Sequence, residues 1–425
     1  MTSQTTRNAI QGSAPYLTFD GGRTRAVDAN GLLGITLSNG TKYTPSTNTS
    51  SSSAPIVLPA AGQSFADIRM FVPTNTNSVA LSSLIGPPNN YWGDDDGDAN
   101  VTATGSLSLS IVDKNNESVS RSTVPTICKA PYKVTLSSTS GTLSTRYGFP
   151  NRSTFNAHSV IYYVNPKAAP VVCFARPDLS GRYAVWEPAK GFRTQSSDPL
   201  SYGKNFPTTG ANGLYFDLLI SGSSQPLSWS SVSQGGITVT MSNPTATSVR
   251  VTLTGPYATT SQHSSSSPRP VSKPTLPQTF ELVGRDSQGN PVVKYGFTLK
   301  QWFVNRGSWY GDFLPSSHWC GIIGYRMPRV KDLTNAVRTE YLAISGATPR
   351  SPGNQYMRYI GSGFFTEWGR MANYFNVGFT GFYYWTRDTD NPAISGRTRF
   401  VVSSNNGMVG YYLNTFNYSV LCAYP

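Results

Sequence analysis

The feature that most constrains this chain is a strict alternation of apolar and polar residues over short runs. The run Ser106–Val112 places Leu107, Leu109 and Ile111 at every second position. Two further runs, 237–241 and 249–253, repeat the alternation on either side of a turn. A period of two is that of a β-strand with one face buried and the other in water. The pattern predicts a mostly β protein, with a β-hairpin at the second pair of runs.

The alternating runs recur along most of the chain and divide it into modules. Its 425 residues are enough for several hydrophobic cores. We predict a disordered tail at residues 1–13, immunoglobulin-like β-sandwich modules at 14–130 and 131–292, and a different module at 293–425. Short alternating strands separated by frequent turns are typical of such sandwiches.

The last module differs from the others in its aromatic content. Residues 293–425 hold 28 of the 52 aromatic residues and five of the eight tryptophans. A strand pattern at 292–304 is followed by two short helices, aromatic loops and terminal strands, which predicts an α+β module. Such a concentration of rings requires a dense core, an aromatic surface or both.

The net charge of +13 is spread thinly over the last two thirds of the chain. Lys and Arg number 8 against 9 Asp and Glu in residues 1–130, then 13 against 6 in 131–292 and 13 against 6 in 293–425. Because no run of cations or basic helix stripe occurs, we do not expect a nucleic-acid partner. Anionic glycans, cell surfaces and an acidic protein suit this charge equally well.

The four cysteines, Cys128, Cys173, Cys320 and Cys422, have neither a CxxC spacing nor neighbouring histidines in a metal-binding pattern. Zinc and redox sites therefore lose support, and two disulfides are the prediction. Three pairings are possible, and the sequential one is favoured. Disulfides of this kind persist in oxidising compartments. The alternative is a cytosolic protein with four free thiols.

The first thirteen residues lack the apolar core of a signal peptide, and no run approaches the length of a membrane span. If the protein is exported, the export signal must therefore be encoded elsewhere. We expect Met1 to begin a fragment of a longer exported protein rather than a complete cytosolic one.

Several motifs of the last module resemble the C-type-lectin-like domain that closes the invasin and intimin family of enterobacterial adhesins. They are, in chain order, His318-Trp319-Cys320, residues 324–336, residues 366–371, Tyr384-Trp385-Thr386 and residues 418–422. In that family, a cysteine of the first helix of this domain pairs with one in its final strand. Cys320 and Cys422 occupy those places, which leaves Cys128 to pair with Cys173.

The resemblance implies a long protein displayed on the bacterial surface. Such a protein begins with a signal peptide and an outer-membrane β-barrel, and its immunoglobulin-like modules lead to a receptor-binding tip. Members of the family bind protein receptors, integrins among them, and the integrin binders use particular aspartates. Asp388 and Asp390 are the loop candidates for that role in this chain.

Aromatic and arginine residues are the candidates for receptor contact, because both types are enriched at interface hot spots. Tyr356, Arg358 and Tyr359 cluster in a Gly/Pro/Ser-rich stretch, and Arg387 follows an aromatic run. For these residues the sequence favours neither an exposed binding role nor burial in the core. For Trp368 and Trp385, inside the family-like motifs, we predict the core.

Metal and catalytic sites have weaker signals. The Glu-Pro-Asn, Gln-Pro-Asp and Trp-Asn-Asp triplets of calcium-dependent lectins do not occur in the sequence. One acidic turn is a candidate site for structural calcium, because it carries side-chain oxygens at alternate positions. These residues are Asp94, Asp96, Asp98 and Asn100. The alternative is a solvated turn that binds no metal. None of the three histidines lies in a catalytic motif, so no enzyme and no cofactor is expected.

The sequence therefore predicts the extracellular receptor-binding region of a bacterial surface adhesin, a monomeric rod that attaches to a host cell-surface receptor. A protein receptor is favoured over a glycan. The alternatives are a homotypic aggregation or biofilm stalk protein, and a calcium-dependent lectin.

Overall fold

The structure is a computed structural model that describes residues 12–183, 186–340, 342–389 and 396–425. The chain forms two compact units, Met1–Ala168 (unit 1) and Ala169–Pro425 (unit 2). The predicted tail at residues 1–13 lies outside the described residues, apart from Gly12 and Ser13. The predicted fold class is confirmed, because strands dominate both units and the longest helix lies in the C-terminal third.

Unit 1 is built from short strands around one hydrophobic core. A five-stranded sheet with the order β4-β12-β9-β8-β5 and a three-stranded sheet with the order β11-β10-β7 both contribute side chains to that core. Two small sheets, β1-β6 and β2-β3, complete the unit. The strands are β1 (Tyr16–Leu17), β2 (Ile35–Thr36), β3 (Lys42–Tyr43), β4 (Ile56–Val57), β5 (Ser78–Ala80), β6 (Trp92–Gly93), β7 (Thr102–Ala103), β8 (Ser106–Val112), β9 (Tyr132–Ser138), β10 (Gly141–Ser144), β11 (Arg152–Phe155) and β12 (His158–Asn165).

Strand β8 shows how the alternation of residues forms this core. Leu107, Leu109 and Ile111 are buried, while Ser108 and Ser110 between them are exposed. Burying one such side chain stabilises the fold by about 1.5 to 3 kcal/mol. A shift of register by one residue would turn all three apolar side chains to water, so the pattern fixes the register.

Unit 2 contains three larger sheets. Their orders are β15-β16-β13-β18-β22-β21-β20, β19-β23-β24 and β17-β25-β32-β29-β30-β31. The strands are β13 (Val171–Arg176), β14 (Arg182–Tyr183), β15 (Trp186–Glu187), β16 (Gly191–Arg193), β17 (Thr209–Ala211), β18 (Tyr215–Ser221), β19 (Ser228–Trp229), β20 (Val232–Gln234), β21 (Ile237–Ser242), β22 (Ser248–Thr254), β23 (Gln278–Arg285), β24 (Pro291–Leu299), β25 (Gln301–Gly311), β26 (Val337–Arg338), β27 (Ile344–Ser345), β28 (Met357–Arg358), β29 (Tyr383–Trp385), β30 (Thr398–Ser403), β31 (Val409–Leu413) and β32 (Tyr418–Tyr424). The predicted hairpin is β21 and β22, with Val239 opposite Leu253.

Helices are short in both units. Unit 1 has α1 (Ser82–Ile85), and unit 2 has α2 (Thr260–Ser264), α3 (Phe313–Ile322), α4 (Val330–Leu333) and α5 (Phe364–Trp368). Short 3-10 helices lie at Asn30–Leu32, Phe65–Asp67, Ile127–Lys129, Pro199–Lys204 and Met371–Asn373. Within the described residues, no helix is long and apolar enough to cross a membrane.

The structure divides the chain at residue 168, and not at the predicted boundaries 130 and 292. The first of those boundaries lies between β8 and β9, which are neighbours in one sheet. The second lies inside β24. Strand β17 also pairs in parallel with β25, so that Thr209 is opposite Gln301. Residues on both sides of 292 thus belong to a single hydrophobic core.

A disulfide joins helix α3 to the last strand of the chain. Cys320 and Cys422 are bonded with their Cα atoms 5.5 Å apart, and both side chains are fully buried. The loop that they close spans 102 residues, for which chain entropy gives about 4 to 5 kcal/mol of stabilisation. Cys128 and Cys173 are disulfide-bonded as well, and none of the four cysteines is free, so the free-thiol alternative is wrong.

We expect residues 293–425 to remain unfolded as an isolated fragment, whereas residues 169–425, carrying Cys173→Ser, fold. The shorter fragment lacks β17 and β23, the neighbours of β25 and β24, so it would leave the edges of these strands unpaired and would lose core side chains such as Phe280 and Leu282. Circular dichroism and thermal unfolding of the two fragments test this expectation. A cooperative transition of the shorter fragment would show instead that the last module is autonomous.

Candidate receptor-binding surface

Arg358, a predicted receptor contact, lies in the core of unit 2 with 0 % of its surface exposed. Its guanidinium donates to four backbone carbonyls: Nε to Thr366 (2.8 Å), Nη1 to Asp178 and Ser180 (both 2.6 Å), and Nη2 to Glu367 (2.6 Å). Its Cζ also lies 4.3 Å from the ring centre of Trp186. A partner cannot reach this side chain, so the prediction of Arg358 as a receptor contact is wrong.

Tyr356 is buried beside Arg358 with 2 % of its surface exposed, and its hydroxyl donates to the Asn405 carbonyl. The prediction of Tyr356 as a receptor contact is wrong for the same reason, because its ring packs in the core around the guanidinium together with Trp186 and Phe192. Tyr359 is half-buried. The prediction that Trp368 and Trp385 lie in the core is confirmed, since both are fully buried.

Glu367 is another buried charged residue of unit 2, and sequence reasoning missed its role. Its carboxylate accepts hydrogen bonds from the amide and hydroxyl of Thr208, the amide and hydroxyl of Thr209, and the amide of Gly361. Burial raises the pKa of this carboxyl, and the hydrogen bonds from Thr209, Gly361 and Thr208 offset part of the rise. The sequence did contain a signal for this role. Glu367 is the one acidic residue in the mostly apolar run Phe364–Trp368, and a buried carboxylate needs hydrogen-bond donors.

Partly exposed rings lie together on the six-stranded sheet of unit 2, and we name them the aromatic surface: Tyr383, Tyr412, Phe416 and Tyr418. Tyr412 is the hub, with ring centres 5.2 Å from Tyr418, and 5.9 Å from both Tyr383 and Phe416. Three of the rings stand on β29, β31 and β32, and Phe416 lies in the turn between β31 and β32. Because strands carry them, the rings are presented in a fixed arrangement.

The surroundings of the aromatic surface are mostly apolar, with Arg338 close to Tyr383 and Arg399 opposite Tyr412 on the neighbouring strand. Residues 400–425 contain no Asp, Glu, Lys, Arg or His. Phe416 and Leu413 are 49 % and 48 % exposed, and Leu314 is 66 % exposed. The amide of Phe313 donates to the Asn414 carbonyl, which holds Leu314 near this edge of the sheet. Burial together with the neighbouring Tyr412 and Tyr383 raises the pKa of Tyr418 to about 12, so its hydroxyl stays neutral at physiological pH.

No protein-family model and no curated protein sequence matches the chain. Among solved structures, that of invasin, a bacterial integrin-binding protein, has 15 % sequence identity and a TM-score of 0.39, covering 80 % of this chain. A 282-residue C-terminal fragment of intimin, in complex with the intimin-binding domain of the translocated intimin receptor, has 12 % identity and a TM-score of 0.35. That match covers 77 % of this chain and 100 % of the fragment.

The chain resembles invasin and intimin. An intimin mutant from EHEC O157:H7 is a third similar structure, with 12 % identity, a TM-score of 0.32, and coverage of 59 % of this chain and 98 % of that one. The chain spans about half the length of the invasin structure, 53 %. The predicted resemblance to these two proteins, which rests on the motifs between His318 and Cys422, is confirmed.

The remaining candidates for receptor contact, Arg387, Asp388 and Asp390, have different surroundings. Arg387 is exposed, and its amide donates to the Pro328 carbonyl. Asp388 is half-buried, and its Oδ2 accepts a hydrogen bond from the Val330 amide at 2.5 Å, at the start of α4. Asp390 lies outside the described residues. Arg387 therefore remains available to a partner, whereas the Asp388 carboxylate is already engaged in the fold.

The predicted calcium ligands do not form a site in the structure. Among the described residues, no three His, Cys, Asp or Glu side chains are grouped so that they could hold a metal ion. Two of the carboxylates accept from backbone amides instead, Asp94 from Asp96 and Asp96 from Ser13, while Asp94 Oδ2 and Asp98 Oδ2 are buried without a hydrogen-bond partner among the described residues. Asp98 and Asn100 complete the turn, Asn100 with a left-handed φ of 67°. The segment is thus an acidic turn held by backbone amides.

Replacing Arg358 should destabilise unit 2 without acting on a partner directly. Arg358→Ala leaves four carbonyls without their donor and opens a cavity, so we expect the free energy of unfolding to fall by about 3 to 5 kcal/mol. Arg387→Ala, at an exposed position, should change it by no more than about 0.5 kcal/mol. Urea unfolding of both variants tests the contrast, and equal stabilities would refute the structural role of Arg358.

The raised pKa of Glu367 predicts a pH dependence of stability. A carboxyl whose pKa is higher in the folded than in the unfolded state stabilises the fold at low pH, and this contribution is lost as the pH rises through the folded-state pKa. The stability of the wild type relative to Glu367→Gln should therefore fall from pH 4 to pH 8 in urea unfolding. If the wild type instead gained stability relative to Glu367→Gln as the pH rises, the five donors would hold the pKa of Glu367 below its ordinary value.

Proposed function

We propose that this chain is the receptor-binding region of a bacterial surface adhesin, and that it attaches to a host cell-surface protein through the aromatic surface of unit 2. The observation that carries the proposal is a set of four partly exposed rings, of which three stand on strands and three lie within the uncharged residues 400–425. The function is binding and involves no catalysed reaction.

The physical support is the composition and rigidity of this surface. Rigid aromatic side chains bury a large area at a small cost in conformational entropy, and they dominate the energetics of protein interfaces. Arg338 lies at the edge of the rings, where its Nη1 donates to the Val409 carbonyl of β31. Apolar rings with an arginine at the rim match the usual arrangement of a protein-binding site.

The sequence resemblance to invasin and intimin supports a display on the bacterial surface and a protein as the partner. Invasin is an integrin-binding protein, and the intimin fragment is in complex with the translocated intimin receptor. For this chain the receptor is proposed as a class, a protein of the host cell surface. The disulfide Cys320–Cys422 supports an oxidising extracellular location.

The test is binding of the full chain to cultured host cells. Phe416→Ala removes an exposed ring from the aromatic surface, and we expect the affinity to fall at least tenfold, as for an interface hot spot of about 2 kcal/mol. Treating the host cells with trypsin should abolish binding, because the proposed receptor is a protein. Binding is measured by flow cytometry over a range of chain concentrations.

Phe375→Ala is the matched control, since Phe375 is 77 % exposed on the same unit but does not belong to the aromatic surface. This variant should bind as the wild type does, and both variants should keep the wild-type melting temperature. Unchanged affinity of Phe416→Ala would overturn the assignment of the surface. Loss of bacterial self-aggregation alone, with host-cell binding unaffected, would support the homotypic alternative.

A further inference from the structure

A groove of about 400 Å³ in unit 1 is lined by aromatic rings and lies outside the surface proposed above. The ring of Tyr91 lies between those of Phe19 and Phe71, with centres 5.3 Å and 5.8 Å away. All three rings are half-buried, so part of each remains accessible. The size is within the range of small-molecule sites, which are typically lined by aromatic and apolar groups.

Two cations flank the groove on one face of the chain. Lys42 is the cross-strand partner of Thr36 in the β2-β3 pair, and Arg69 is the partner of Thr36 on its other side. Directly opposed residues of antiparallel strands point to the same face, so both cations share the face of Thr36. Two strand spacings, about 10 Å, separate their backbones.

These cations have no counter-charge within the described structure. The lining of the groove contains no Asp or Glu. Lys42 and Arg69 are exposed, and neither side chain has a hydrogen bond or ion pair with a described residue. A negatively charged group placed between them would therefore meet two cations and no competing carboxylate in the lining.

Backbone groups that line the groove are already hydrogen-bonded within unit 1 and so are not available to a peptide. The amide and carbonyl of Thr36 are both bonded to Arg69, at 2.9 Å each, and the Tyr91 amide donates to the Ile85 carbonyl. A peptide strand therefore cannot pair with Thr36. What remains are ring faces, side-chain hydroxyls and the two cations, which is the chemistry that recognises a sugar: ring faces stack against its C–H groups, and cations bind its acidic substituents.

We propose that this groove binds an acidic oligosaccharide of low charge density, in which carboxylate-bearing sugars alternate with neutral ones. The rings stack on the sugar faces, and Lys42 and Arg69 bind the carboxylates. Two cations suit one or two anionic groups over the length of the groove, whereas a densely sulfated chain requires a larger basic patch. The site is independent of the receptor-binding surface of unit 2.

The probe is a hyaluronan hexasaccharide, in which neutral and carboxylated sugars alternate, titrated calorimetrically into the full chain at low salt. The double variant Lys42→Ala/Arg69→Ala should bind it at least tenfold more weakly. Arg146→Ala/Arg152→Ala removes the same charge from exposed positions of unit 1 outside the groove lining, and should stay within twofold of the wild type. This control separates a local site from the general effect of net charge.

Two further arms test the stacking and the choice of saccharide. Phe71→Leu keeps an apolar side chain but loses the ring face, and it should weaken binding at least threefold at an unchanged melting temperature. A neutral chitin hexasaccharide should bind more weakly than hyaluronan. Three results would each overturn the proposal. The first two are wild-type affinity of the Lys42→Ala/Arg69→Ala variant and equal binding of the neutral sugar. The third is tighter binding of a heparin hexasaccharide whose affinity is unchanged by Phe71→Leu.

Discussion

Glu367 and Arg358 bury opposite charges in the middle of unit 2, and their hydrogen bonds connect segments far apart in the sequence. The carboxylate takes its donors from Thr208 and Thr209, while the guanidinium binds carbonyls of Asp178 and Ser180. Burying either charge alone would be strongly unfavourable, and breaking such a network by removing one member leaves the others unpaired. The network therefore requires residues on both sides of position 292 to fold together, which is why unit 2 has one continuous core.

The alternation of apolar and polar residues predicted the strands that have one buried face and one solvent-exposed face. In β8 and in the β21-β22 hairpin, the alternation of side chains records directly which face meets the core. The boundaries between the units have no comparable pattern in the sequence. The pairing of β8 with β9 and of β17 with β25 joins segments through hydrogen bonds of the backbone, which almost every residue type can form. Composition shifts at residues 130 and 292 therefore did not correspond to breaks in the structure.

The candidate contact residues show where residue type alone fails. Tyr and Arg are enriched in protein interfaces, yet Tyr356 and Arg358 stabilise a core, whereas Tyr412 and Phe416 present their rings to solvent. The two pairs have similar neighbours in sequence, rich in Gly, Asn and Tyr. What separates them is whether carbonyls from another segment converge on the polar group, as they do on Arg358. Only the tertiary structure contains that information.

Charge distinguishes the two proposed binding surfaces and predicts how each contributes to attachment. Three rings of the aromatic surface lie in the uncharged residues 400–425, and Arg338 and Arg399 lie only at its border, so its contacts would depend less on ionic strength than those of the groove and would mainly govern dissociation. The groove of unit 1 would act through two exposed cations, whose attraction is screened beyond about 8 Å at physiological salt. Residues 169–425 carry 22 Lys and Arg against 12 Asp and Glu, an excess of ten positive charges. That excess favours approach to anionic cell surfaces, while specificity rests on the uncharged rings.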